Sequence, residues 1–164
     1  MKWVSLGHLA PFPPMSQTPA PLYTGLFRHA LDDKNRLTIP SAWRYAHGKD
    51  DAFLATPHPD GYIAVLPPAE VDKLRAKIEG MALSDGAGQD FVARFFSQTH
   101  SLWFDKSGRM NLSSELLQHS EITKEAVLVG GLTKFNIYNP ARWTKVEART
   151  SGENFGDLMR RLGI

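Results

Sequence analysis

Two short stretches carry the side chains best suited to chemistry. Residues 31–40 read LDDKNRLTIP, and residues 104–112 read FDKSGRMNL. Both set an aspartate four residues before an arginine: Asp32 with Arg36, and Asp105 with Arg109. Asp33, Lys34 and Asn35 fill the first gap; Lys106, Ser107 and Gly108 fill the second. Asp and Asn hydrogen-bond their own backbone, and Asn tolerates left-handed geometry, so DDKN reads as a turn. Gly108 takes the place of Asn35, as a turn that needs positive φ would accept. The spacing lets each carboxylate end one strand and pair across the turn with the arginine that begins the next.

Three chemistries compete for these residues. The first is purely structural: Asp32, Asp33, Asp105 and Gly108 shape the turns, and the arginines close them with ion pairs of a common, low-value kind. The second is nucleic-acid recognition. Lys34, Asn35 and Arg36, with Lys106 and Arg109, would be carried outward on turn tips able to enter a major groove. There arginine reads guanine bidentately and lysine neutralises phosphate. The third is an aspartate dyad. It requires a hydroxyl residue and a glycine after each Asp, whereas Asp33 and Lys106 follow here, and the neighbouring arginines would hold both carboxylates ionised. No enzymatic activity is expected. The six histidines (His8, His29, His47, His58, His100, His119) show no metal spacing, and each reads as a surface or edge residue. No glycine-rich phosphate loop or Gly-x-Ser-x-Gly occurs. No cofactor, metal or small-molecule substrate is implied.

The wider composition agrees with a folded binding module. Of the 164 residues, 42% are apolar, enough for a core, and there is no cysteine for disulfides, thiol chemistry or Cys-based zinc sites. No apolar run approaches the roughly 18 residues of a membrane span. The formal net charge is only +2. Local balance is more informative: residues 28–49 hold Arg28, Lys34, Arg36, Arg44 and Lys49 against Asp32 and Asp33. Residues 104–120 hold Lys106 and Arg109 against Asp105 and Glu115. The first turn is therefore expected to be the basic one, and Arg28 joins the candidate DNA-binding set. The opening MKWVSLGHLAPFPPMSQTPAP is a poor export signal, because His8 and PFPP interrupt any apolar helix. Residues 1–21 read as a disordered arm or a misassigned start, with Met15 as an alternative initiator.

The elements that position the turns are themselves repeated. Asp32 and Asp105 lie 73 residues apart, and RLTIPSAW faces RMNLSSEL at that offset. AFLAT (from Ala52) faces AVLVG (from Ala126) one residue out of step, and GYIAVLPPAEV faces KFNIYNPARWT in step again. Each copy reads as strand, turn, alternating strand, short helix, strand pair and helix. Ser41 is expected to cap the first short helix, with Gly48 as its stop, and Ser113 or Ser114 to cap its counterpart. Val71, Leu74, Ile78 and Met81 form a helical stripe after Pro67. SDGAGQ (from Ser84) reads as a linker, and a helix from Asp90 turns Phe91, Val92, Phe95 and Phe96 inward. Trp43, Trp103, Phe104 and Trp143 read as core.

HALDDKNRLTIPSAWR, FDKSGRMNLSSEL, AVLVGGLTKFNIYN and ARW together resemble the MraZ family of bacterial transcription regulators, in order and in both copies, from about Leu22 to Glu147. The resemblance implies a β-rich α+β fold: two tandem AbrB-like swapped-hairpin halves forming a small β-barrel with peripheral helices. The repeats would span 22–83 and 104–147, with a linker and helix at 84–103 and a mobile tail at 148–164. It further implies a cytoplasmic, nucleoid-associated protein that assembles with itself into a ring. Such a ring would bind double-stranded promoter repeats upstream of the division and cell-wall gene cluster. By position, Arg36 matches the family's DNA-contacting arginine, Lys34 lies beside it, and Arg109 is the second-copy counterpart. Two departures stand out: Asn35 replaces the usual turn Gly, and Ser113 replaces the proline present in the first copy as Pro40, which is expected to loosen that helix start. The alternative reading is an AbrB-like protein-interaction module without direct DNA binding.

Overall fold

A computed structural model describes residues 21–164. Residues 1–20, on which most of the expected arm and the Met15 start fall, lie outside the described residues.

Two halves repeat one order of elements. The first runs β1 (Leu26–Ala30), β2 (Arg36–Thr38), α1 (Ser41–Arg44), β3 (Phe53–Pro57), β4 (Ile63–Leu66), α2 (Pro68–Glu79) and α3 (Gly86–Ser97). The second runs β5 (His100–Leu102), β6 (Arg109–Asn111), α4 (Ser114–Ser120), β7 (Glu125–Gly130), β8 (Phe135–Tyr138), α5 (Pro140–Arg149) and α6 (Glu153–Leu162). The result is an α+β fold built on antiparallel strands.

The halves exchange strands. A six-stranded sheet has the order β1-β7-β8-β4-β3-β5, which reads the same when the halves are interchanged. Thus β1 pairs with β7 of the other half, and β5 pairs with β3. The centre of the sheet is the β4–β8 contact, where Ile63 faces Ile137. A separate ribbon joins β2 to β6, with Leu37 opposite Met110. The pairings describe an open sheet edged by β1 and β5, plus this ribbon; a closed barrel is not among them.

Alternation explains the ribbon. Leu37, Ile39, Met110 and Leu112 point inward and are fully or almost fully buried, while Arg36 and Arg109 stay partly exposed. They meet Trp43, Phe53 and Phe135, so one core serves both halves. Trp43 stacks near Phe135 and donates its indole N–H to the Thr24 carbonyl at 3.0 Å, so its polar atom is satisfied.

Several expectations need correction. The step in the repeat falls in the second hairpin loop. Pro57 and Ile63 bracket one loop, Gly130 and Phe135 bracket a loop one residue shorter, and Pro68 and Pro140 are accordingly 72 residues apart. Helix α1 ends at Arg44 and its N-cap is Pro40, with no side-chain cap. Ser113 does not loosen α4; its hydroxyl accepts from the Leu116 N–H at 3.2 Å, a bond that proline cannot make. Helix α3 starts inside the expected linker because Asp85 caps it, accepting from the Gly88 N–H at 2.9 Å. Its Phe91 points outward and none of its residues is buried. Trp103, expected in the core, is half exposed.

Candidate nucleic-acid interface

Each Asp-x-x-x-Arg turn is a closed hydrogen-bond cage. In the first, one Asp32 carboxylate oxygen accepts from the backbone N–H of Lys34 at 2.9 Å and of Arg36 at 2.8 Å. The other accepts from Arg36 Nε at 2.6 Å. In the second, Asp105 accepts from the N–H of Ser107 at 2.8 Å and of Arg109 at 2.9 Å, and from Arg109 Nε at 2.8 Å. The backbone closes each cage: Asp32 N–H donates to the Arg36 carbonyl and Asp105 N–H to that of Arg109. Asn35 and Gly108 hold the same left-handed position, at φ 60° and 74°. Lys34 therefore corresponds to Ser107 and Asp33 to Lys106, without a gap.

This geometry fixes the charge states. Partial desolvation pushes the Asp32 carboxyl up, but the Arg36 N–H and guanidinium and the Lys34 N–H outweigh it, leaving it below the usual carboxylate range. Asp105 is likewise lowered: desolvation is outweighed by the N–H groups of Arg109 and Ser107 and by the Arg109 guanidinium. Both carboxylates are acceptors held ionised, the reverse of what a proton-sharing dyad needs.

The two turns lie side by side. The β2–β6 ribbon sets Thr38 opposite Arg109 and Arg36 opposite Asn111, and Arg109 Nη1 reaches the Asp32 carboxylate at 3.4 Å. Lys34, Asn35 and Lys106 are exposed at the tips; Arg36 and Arg109 are partly exposed, with Nε committed to the cage. Among the described residues no protein group takes the Nη hydrogens of Arg36. Asp33 is exposed and Gly108 buried. Arg28 is exposed on the edge strand β1, opposite Val127, and no hydrogen bond ties it to the turns among the described residues.

The basic neighbourhood is not where the sequence places it. Arg44 and Lys49, counted with the first turn, line an open cleft of about 550 Å³ beside the second, together with His47, Phe104, Asp105, Lys106 and Gly108. Arg44 Nε donates to the Ile39 carbonyl at 2.8 Å, and its guanidinium covers Gly108, where a Cβ would collide with it. His47 is no surface residue: its side chain is 7% exposed. It meets the Tyr23 hydroxyl at 2.5 Å and Asp51 at 3.1 Å. In the sequence Gly108 marks only a turn of positive φ; nothing there announces that Arg44 packs over it.

Comparison with known proteins gives the family. A family model described as "MraZ protein, putative antitoxin-like" matches residues 95–162. The Transcriptional regulator MraZ of Clostridium acetobutylicum is 32% identical over 144 residues, covering 87% of this chain and 100% of that protein. That of Pediococcus pentosaceus is 35% identical over 141 residues, covering 86% and 96%. That of Halothermothrix orenii is 32% identical over 145 residues, covering 87% and 100%. With near-complete coverage of both chains, the protein belongs to the MraZ family.

Proposed function

We propose that the protein is a sequence-specific, double-stranded DNA-binding transcriptional regulator that uses the paired Asp-x-x-x-Arg turns as its recognition surface. The observation that carries this is the two cages of one hydrogen-bond pattern, side by side on one ribbon, with Lys34 and Lys106 exposed at their tips. The cages hold the tip backbones rigid, so Lys34, Asn35 and Lys106 are presented with little ordering cost, and the Arg36 Nη groups remain for acceptors on DNA. The relatives' name, Transcriptional regulator MraZ, supports the reading. We further read the exchanged halves as AbrB-like swapped hairpins and the working form as a ring on promoter repeats of the division and cell-wall gene cluster. Several weak basic surfaces would then act together, which suits a subunit of charge +2. Such a protein would sit in the cytoplasm at the nucleoid.

A second reading, a protein-interaction module, draws on Phe91 of α3 and on Phe155, Leu158 and Leu162 of α6, all exposed. The discriminating experiment is fluorescence anisotropy with duplex DNA from upstream of the protein's own gene, against unrelated DNA, at two salt concentrations. Wild type is expected to bind its own sequence preferentially and with steep salt dependence, and Lys34→Gln to bind more weakly. Equal, weak binding to any DNA would leave the turns structural. Arg36→Ala is a poor probe, because it also opens the cage.

A further inference from the structure

The two turns share a backbone but not a charge, and the difference is written by what packs beside them. At the second turn, Lys106 on the tip is joined by Arg44 and Lys49 from the other half of the chain, all lining one cleft. None of these three is in a salt bridge among the described residues. At the repeat offset, the corresponding positions of the first turn are Asp33, Leu117 and Ile122. Leu117 and Ile122 are buried, and Asp33 is an exposed acid beside Lys34. The first tip is thus locally neutral, while the second gathers three cations. The carboxylate that lines the cleft does not cancel them, since Asp105 is consumed by its own cage.

The cleft is also prearranged. Arg44 is pinned through Nε on the Ile39 carbonyl, which leaves its Nη groups toward the opening over Gly108. Gly108 combines φ 74° with a position whose Cβ would push the guanidinium aside, so glycine lets the turn and the arginine lie together unstrained. The floor is His47, held between Tyr23 and Asp51 and packed on Phe104. One pinned arginine and two exposed lysines around a small concave site suit a phosphate, whose oxygens accept several charge-assisted hydrogen bonds at once, more than an extended peptide.

We propose that this cleft binds a phosphate group, with a backbone phosphate of the bound DNA as the source. The second turn then anchors the protein on the duplex, and the pseudo-symmetric first turn does not. The DNA assignment rests on the function proposed above; the phosphate site does not.

The test uses the full chain. Salt titrations of DNA affinity compare wild type with Lys49→Gln/Lys106→Gln, two exposed changes that leave both cages intact. Lys77→Gln, a loss of one exposed charge on α2, serves as control. The double variant is expected to reduce the salt slope by about one, the single phosphate of the cleft, and to weaken binding about tenfold or more, with little change in the control. In parallel, inorganic pyrophosphate is titrated into labelled protein while the amide signals of Gly48 and Gly108 are followed. Pyrophosphate shifts that vanish in the double variant, with a reduced DNA slope, support the whole proposal. Shifts that vanish while the slope is unchanged keep the phosphate site but overturn DNA as its source. No shifts and an unchanged slope overturn the site, even if wild type still discriminates its own DNA and the general function stands. Wild-type failure to bind any DNA, with pyrophosphate shifts intact, overturns the DNA function and leaves a site for a free phosphate ligand.

Discussion

At the scale of the residue, the repeated aspartates and arginines do two things at once, and the structural one can be isolated by pH. Asp32 and Asp105 both titrate below the ordinary value of 3.8 because two backbone N–H groups and an arginine favour the charged form. A carboxyl whose folded pKa is depressed adds stability that is fully present above the unfolded value and lost as pH falls through the folded one. Asp105→Asn keeps an oxygen acceptor but removes the charge. Urea unfolding should therefore show the variant less stable than wild type at neutral pH, with the gap closing as pH drops below 3.8. A gap that persists unchanged into strong acid would mean that shape, not charge, holds the cage. The Asp-to-Arg pairing was legible in the spacing alone, since only that spacing repeats. The bond from Arg109 to Asp32 was not legible, because it depends on β2 and β6 lying together across 77 residues of chain.

At the scale of the element, local chemistry announced itself where one side chain sufficed. The turns, the hairpin at Asp60-Gly61 and the strands on either side follow from alternation and turn residues, and they form close to their expected bounds. Two elements were misread for physical reasons. Ser84–Gln89 looks like a linker because it is polar and glycine-rich, yet Asp85 supplies a cap that outweighs two weak helix formers. The apolar run on α3 looks like a core stripe; Val92 and Phe96 do face α2 and β3 across a shallow cleft, but Phe91 stays out. Two substitutions test these accounts of the turn and the cap. Gly108→Ala must place a Cβ at φ 74° against Arg44, and should cost about 1–3 kcal/mol by thermal or urea unfolding. Asn35→Gly at the equivalent position relieves rather than adds strain and should stay within about 1 kcal/mol of wild type. Ser113→Ala removes the α4 cap and should cost about 1 kcal/mol. Equal effects of Gly108→Ala and Asn35→Gly would contradict the role given to Arg44.

At the scale of the whole molecule, the sequence repeat and the structural unit are different objects. The internal repeat is easy to read because each copy keeps its own turns and hairpin. The exchange is hidden, because a strand's sequence does not say which hairpin it will join. In the fold, β1 lies on β7 and β5 on β3, so each half completes the other's sheet edge, and Leu37 finds its partner Met110 only across the halves. The charge pattern follows the same logic: Arg44 and Lys49 belong to the first copy by sequence and to the second turn by position. A half of the chain should therefore not be a stable monomer. A fragment of residues 21–98 exposes the β3 edge and the inner face of β2, and leaves β1 with no hairpin to join. It should be unfolded or pair with a second copy of itself, as judged by sedimentation and circular dichroism. Mixing it with residues 99–164 should restore one cooperative unfolding transition, because the contacts that close the core run between the pieces. A monomeric 21–98 fragment that unfolds cooperatively by itself would show that the halves are separate domains and that the exchange is incidental to stability.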